Sequence, residues 1–204
     1  MYNFAAPGQL KFGHFAAMSR IRFLILVLHR WIGLASSLLL SIVGVTGAVL
    51  VLPSRVLPGG AALRNTADLL HTKLGMGNFG WWVVVVVTIA AIFIELGGLY
   101  LWWKRKTISV RVRSGWKLAV FDLHHAFGLF ALPLMLLLAV SGAAMPFVTP
   151  ENQLWFLGVI VEAHTPREFS PPIKLLYMLG STGFLLQGVT GVLMWWKPRR
   201  HQSI

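Results

Sequence analysis

Apolar positions in this chain fall into four long blocks, about 23–52, 81–103, 123–147 and 173–196, separated by basic or Gly/Pro-rich segments. Within the third, "AFGLFALPLMLLLAVSGAAM" (126–145) carries no charge at all. Backbone amides in hydrocarbon must find partners within their own segment, so each block predicts a helix, and about 20 apolar residues are enough to cross. The pattern predicts an all-α integral membrane protein folded as a four-helix bundle. The first block is too long for the apolar region of a signal peptide and ends without a small-residue cleavage site, so it is read as a span. The two longer connections are modest. One (53–80) has a helical middle at about 61–74 between Pro/Gly breakers, and the other (146–172) a short helical stretch at 151–164 closed by Pro166. Neither holds an additional domain of ordinary size.

The blocks repeat. With residue 28 laid on residue 123, Leu28, His29, Gly33 and Leu34 meet Leu123, His124, Gly128 and Leu129, and Thr46, Gly47 and Ala48 meet Ser141, Gly142 and Ala143. "GLYLWWK" (98–104) matches "GVLMWWK" (191–197), and His71-Thr72 matches His164-Thr165 at nearly the same spacing. The organisation follows: an N-terminal tail (1–22), a first helix pair (23–103), a basic loop (104–122), a second helix pair (123–197) and a C-terminal tail (198–204). Two helix pairs in parallel orientation imply a pseudo-two-fold axis along the membrane normal. The paired tryptophans Trp102, Trp103, Trp195 and Trp196 are expected to be interfacial anchors.

Composition agrees, with 56% of the 204 residues hydrophobic and a net charge of +12. That charge is distributed by topology. Lys11, Arg20, Arg22 and Arg30 precede or open the first span, Lys104, Arg105, Lys106, Arg111, Arg113 and Lys117 lie between the second and third, and Lys197, Arg199 and Arg200 follow the fourth. In the other connections Arg55, Arg64, Lys73, Arg167 and Lys174 are mixed with Asp68, Glu151, Glu162 and Glu168. The positive-inside rule places both termini and the 104–122 loop in the cytoplasm, and anionic lipid accounts for the rest, so no nucleic-acid partner is expected. The chain has no cysteine, which excludes disulfides, thiolate-held iron–sulfur clusters and covalent haem attachment through C-x-x-C-H.

Seven histidines occur. His14 and His201 lie in the polar tails, where solvation is the ordinary state. His29 and His124 recur at one helix position in both repeats, and His71 and His164 form a second recurring pair towards the other side. At about 100° per residue, Gly33 lies about 40° from His29, Gly44 about 60°, and Gly47 returns to the same direction. Such small residues either let helices approach closely or clear space for a flat group beside the histidine. An ionisable residue in a span is costly, and each histidine alone reads equally as a ligand or a packing group. As facing pairs across a pseudo-two-fold axis, they suit the axial positions of b-type haem. Zinc is less suited, because two histidines leave its tetrahedral site incomplete; copper stays open. His125 points about 100° from His124, so it is read as a neighbour of the site or a partner for a haem propionate. Arg30 fits a propionate or a lipid phosphate. Glu95, alone in the second span, is expected to make an interhelical hydrogen bond, with proton transfer the alternative. Tyr100, Met135 and Gln187 receive no role.

At "LHRWIGL…GVTG", "LHTKLGMGNFG", "GLYLWWKRK" and "DLHHAFGL…AVSG" the sequence resembles the PepSY-associated transmembrane family over about residues 24–197. The resemblance implies two b-type haems in a four-helix bundle of the bacterial inner membrane, with electrons carried from the cytoplasmic side towards the periplasm. It implies a haem-dependent oxidoreductase acting on ferric iron bound to a siderophore. The family's histidines match His29, His71 and His124 by motif, and His164 follows from the repeat; symmetry then pairs His29 with His124 and His71 with His164. No dinucleotide-binding fingerprint is read from the chain, so a quinol or a cytoplasmic flavoprotein is the expected donor. The short connections depart from relatives with large periplasmic insertions, which leaves recognition of the acceptor to a partner or to weak binding. The rival from another class is a non-enzymatic accessory subunit or small transporter component whose histidines and glycines serve packing. A second rival handles haem without transferring electrons.

Overall fold

A computed structural model of the chain describes residues 20–103, 115–148, 155–166 and 169–196. The tails with His14 and His201, most of the basic loop, and residues 149–154 and 167–168 lie outside the described residues. Six α-helices follow in order: α1 (Arg20–Val51), α2 (Gly60–Lys73), α3 (Gly77–Trp103), α4 (Trp116–Ala144), α5 (Trp155–His164) and α6 (Pro171–Trp195). There is no strand among the described residues. Four segments are long and apolar enough to cross a membrane: Arg20–Val51, Gly77–Trp103, Trp116–Phe147 and Pro171–Trp195. The chain is an all-α, multi-pass membrane protein.

The spans form a ring in which α1 and α4 each pack on α3 and α6 and stand diagonally opposite one another. This is the arrangement two parallel helix pairs make about a central axis. Lipid tails are as apolar as leucine, so hydrophobicity does not drive these helices together; close approach of small residues does. The interior accordingly holds Ser36, Gly44, Ala48, Ala91, Ala139, Gly180 and Ser181, while large side chains such as Phe93 and Phe130 (78% exposed) face outwards. Gly44 is such a contact, because a Cβ there would run into the Ser181 carbonyl and Phe184 of α6.

Helix α4 begins at Trp116, well ahead of the apolar run that opens at 123. Its first turns, "WKLAVFD" (116–122), place Lys117 and Asp122 among apolar residues, so the helix starts before the uncharged run. The short helices hold the connections against the bundle. Arg64 of α2 donates from Nη1 to the carbonyls of Leu50 (3.0 Å) and Leu52 (2.7 Å), capping the end of α1 with a positive charge. Tyr177 of α6 donates to the Ala163 carbonyl of α5 (2.8 Å). The α2–α3 turn contains "GMGNFG" (75–80), which does spell G-x-G-x-x-G, contrary to the reading from sequence. It follows a helix and not a strand, so it lacks the context of a dinucleotide site. Its glycines serve the turn: Gly75 and Gly77 take φ of 72° and 59°, and a Cβ at Gly80 would strike the Lys73 carbonyl.

Candidate functional site

Because α1 and α4 are diagonal partners, residues at equivalent positions look across the bundle at one another. His29 and His124 stand with ring centres 6.5 Å apart and planes at 83°. At the other end α2 and α5 bring His71 and His164 to 5.9 Å, with planes at 32°. A cavity of about 430 Å³ surrounds the first pair, and one of about 680 Å³ the second. Leu40, Ala91 and Phe184 line both, so they form the partition between them.

Each ring is fixed through Nδ1. His29 faces the Ile94 carbonyl (2.9 Å) and His71 the Val43 carbonyl (2.8 Å). A carbonyl only accepts, so these two nitrogens carry the proton and Nε2 keeps its lone pair. His124 faces Thr190 Oγ1 (2.8 Å) and His164 faces Ser141 Oγ (3.0 Å). Both hydroxyls give their own proton to the carbonyl one turn back, Leu186 (2.7 Å) and Leu137 (2.6 Å), and so accept from the imidazole. All four histidines therefore present an unprotonated Nε2. Outside the spans, burial lowers the pKa of His71, and burial followed by the neighbouring His71 pushes His164 down to about 4. Both are neutral at neutral pH, the form in which imidazole binds a metal.

Every ring also lies against a glycine of another helix. A Cβ at Gly47 would stand 2.9 Å from His71 Cε1, and one at Gly142 2.9 Å from His164 Cε1. At the opposite end Gly98 meets His29 Cε1 at 3.2 Å and Gly191 meets His124 Cε1 at 3.7 Å. The stripe running from His29 therefore divides. Gly33 opens on the cavity, Gly44 packs on α6, Gly128 abuts Gln187, and Gly47 belongs to the other histidine pair. Gly98, Gly191, Thr190 and the acceptor role of Ser141 were not found by sequence reasoning, although Gly98 and Gly191 occupy one position of the repeat.

The remaining candidates are placed as follows. His125 bonds the Phe121 carbonyl of its own helix (2.8 Å) and stacks on Phe121, yet still lines the cavity of His29 and His124. Arg30 is exposed, has Cζ 5.6 Å from the centre of the Trp31 ring, and lies on the same cavity's rim. Gln187 donates to the His124 carbonyl (3.0 Å). Two expectations are corrected. Glu95 makes no interhelical hydrogen bond: among the described residues the buried side-chain atoms without a partner are Glu95 Oε1 and Oε2 and Trp102 Nε1. Trp102 and its repeat counterpart Trp195 both line this cavity, Trp195 at its exposed edge, whereas Trp103 and Trp196 are exposed like interfacial anchors. Adjacent helical residues diverge by about 100°, so both tryptophans of such a pair cannot face lipid equally.

The arrangement defines a membrane bundle with two half-buried histidine pairs, one towards each end. A family model for the PepSY-associated TM region matches residues 51–156, more than half of the chain. The protein belongs to the PepSY-associated transmembrane family. The matched interval takes in His71, His124 and His125 and leaves His29 and His164 outside. Neither the curated proteins nor the solved structures contain a match.

The histidine pairs fit a bis-imidazole iron. Two imidazoles bound on opposite sides of one metal at about 2 Å each place their ring centres roughly 6.4 Å apart, close to the 6.5 and 5.9 Å seen here. Among the described residues no cluster of three or more His, Cys, Asp or Glu exists to complete a tetrahedral zinc site.

Proposed function

We propose that the protein is a transmembrane electron conduit holding two b-type haems, one between His29 and His124 and one between His71 and His164. It reduces an acceptor on the side of the α2 and α5 connections, and that acceptor is ferric iron bound to a siderophore. One observation carries the reading: two pairs of imidazoles, each pair at the separation of axial ligands, with every Nδ1 proton committed to a protein acceptor. When bound, haem iron supplies the one-electron redox chemistry that no side chain of this chain provides.

The residues of the chain have separable tasks. The four histidines present Nε2, while Ile94, Val43, Thr190 and Ser141 hold their rings. Gly47, Gly142, Gly98 and Gly191 leave room beside those rings. The cavity of His29 and His124 is mostly apolar, which keeps water away, while Arg22 and Arg30 along it offer cations to carboxylates and His125 lies beside them. Arg64 and Lys174 do the same on the other cavity. The basic segments orient the bundle in a bacterial inner membrane with both termini in the cytoplasm, so the His71/His164 side is periplasmic. A quinol or a cytoplasmic flavoprotein supplies the electrons.

Proteoliposomes loaded with an impermeant reductant and offered an external ferric siderophore test this reading, with ferrous iron trapped by a chelator. The expected result is protein-dependent release of ferrous iron, lost in His71→Ala and His29→Ala. Release no faster than from empty liposomes, with the haem-bearing protein inserted in both orientations, overturns it. A colourless, well-folded protein from haem-replete cells favours the accessory-subunit alternative.

A further inference from the structure

The four imidazoles differ in what receives their Nδ1 proton. His29 and His71 donate straight to main-chain carbonyls, while His124 and His164 donate to hydroxyls that pass a proton on to a carbonyl. Thr190 and Ser141 are buried, each 3% exposed, so no water competes for these bonds. In each pair one ring therefore meets a hydroxyl and the other only a carbonyl, and His164 has the Leu138 carbonyl as a backbone partner beside Ser141.

The duplication does not require this asymmetry. Thr190 falls on Gly97 of the first repeat, which has no side chain to offer. Ser141 falls on Thr46, and the two hydroxyls bond equivalent carbonyls, Ile42 (2.7 Å) and Val43 (3.1 Å) for Thr46 and Leu137 (2.6 Å) and Leu138 (3.3 Å) for Ser141, but Ser141 Oγ also stands 3.0 Å from its histidine, His164. A hydroxyl has one proton, and with that proton on the Leu186 or Leu137 carbonyl only its lone pairs face the histidine. An acceptor at this nitrogen fixes the tautomer and the ring plane and raises the basicity of the other nitrogen as a ligand.

We propose that Thr190 and Ser141 are positioning residues, each hydroxyl fixing one histidine ring, His124 or His164, and thereby setting the reduction potential of the centre which that histidine ligates. The proposal rests on the two-haem reading above. A more basic imidazole favours ferric over ferrous iron, so removing the acceptor raises the potential. The two residues serve different pairs, so their effects separate.

The test is a spectroscopic redox titration of the purified haem-bearing protein and its Thr190→Val, Ser141→Ala and Thr190→Ser variants. Thr190→Val is expected to shift one midpoint upwards by a tenfold change in the oxidised-to-reduced ratio or more, about 59 mV for one electron. Ser141→Ala is expected to raise the other midpoint and leave the first in place, and Thr190→Ser to match the unmodified protein. Loss of one haem in Thr190→Val with retention in Thr190→Ser also supports the role, since only the hydroxyl distinguishes them. Both midpoints unchanged in Thr190→Val and Ser141→Ala, or haem lost equally from Thr190→Ser, overturns the proposal with the two-haem reading intact. An unmodified protein without haem overturns that reading instead.

Discussion

Gly47→Ala should release one haem and spare the other. The new methyl would stand 2.9 Å from His71 Cε1 and 3.3 Å from Nδ1, short of the roughly 3.5–4.0 Å at which carbon atoms rest against one another. The ring must retreat by about 0.6–1.1 Å to restore contact. It cannot retreat freely, because its Nδ1 bonds the Val43 carbonyl (2.8 Å) on the same helix that carries the methyl. Overpacking of this kind costs about 1–3 kcal/mol and a stretched hydrogen bond roughly 0.5–1.5 more, while replacing a helical glycine returns about 1. A net loss of about 0.5–3.5 kcal/mol corresponds to haem held roughly 2- to 400-fold more weakly at the His71/His164 pair. Gly142→Ala repeats the experiment from the other side, with its methyl 2.9 Å from His164 Cε1. Gly158→Ala is the control, since nothing lies within 4 Å of a Cβ there. Haem content after dilution into apomyoglobin, followed by absorbance, reads the effect. Gly47→Ala that keeps both haems as long as Gly158→Ala does would refute the claim that the His71 ring needs this space.

Three further outcomes follow. His29→Ala and His164→Ala should each lose one haem equivalent by haemochrome quantification, and the double variant both; if either single variant lost both haems or neither, the pairs would not be independent sites. Glu95→Met should stabilise the haem-free protein by about 1–3 kcal/mol in thermal unfolding in detergent, because it removes a buried carboxyl that has no partner; destabilisation of that size would mean that the carboxyl is engaged. The oxidised protein should give two distinguishable low-spin ferric EPR signals, because the imidazole planes stand at 83° in one pair and 32° in the other; a single signal integrating to two haems would contradict these ring orientations.

Much of this was legible because lipid simplifies the code. A span must be apolar and helical, so the block pattern alone yields four helices, and the repeat of His29 at His124 pairs them once the helix pairs are parallel. The structure also brings His71 and His164 together, as the repeat implies, by way of two short helices whose extent at Gly60–Lys73 and Trp155–His164 was close to readable from Pro and Gly. What escaped depends on how neighbouring helices cross. Whether Gly47 serves its own helix's histidine or another is decided by where α2 lies down, which no periodicity along α1 contains. Thr190 reads as one more small polar residue until α4 sets His124 against it. Trp102 and Trp103 carry one signature in sequence, and rotation about α3 sends one into the cavity and the other outwards.

Haem quantification on protein purified from haem-replete cells reaches the central claim most directly, with the pyridine haemochrome counted against chain concentration. Two b-type haems per chain are predicted, reduced by dithionite to sharp low-spin bands. A folded protein with one haem or none would contradict the assignment of both histidine pairs as axial ligands.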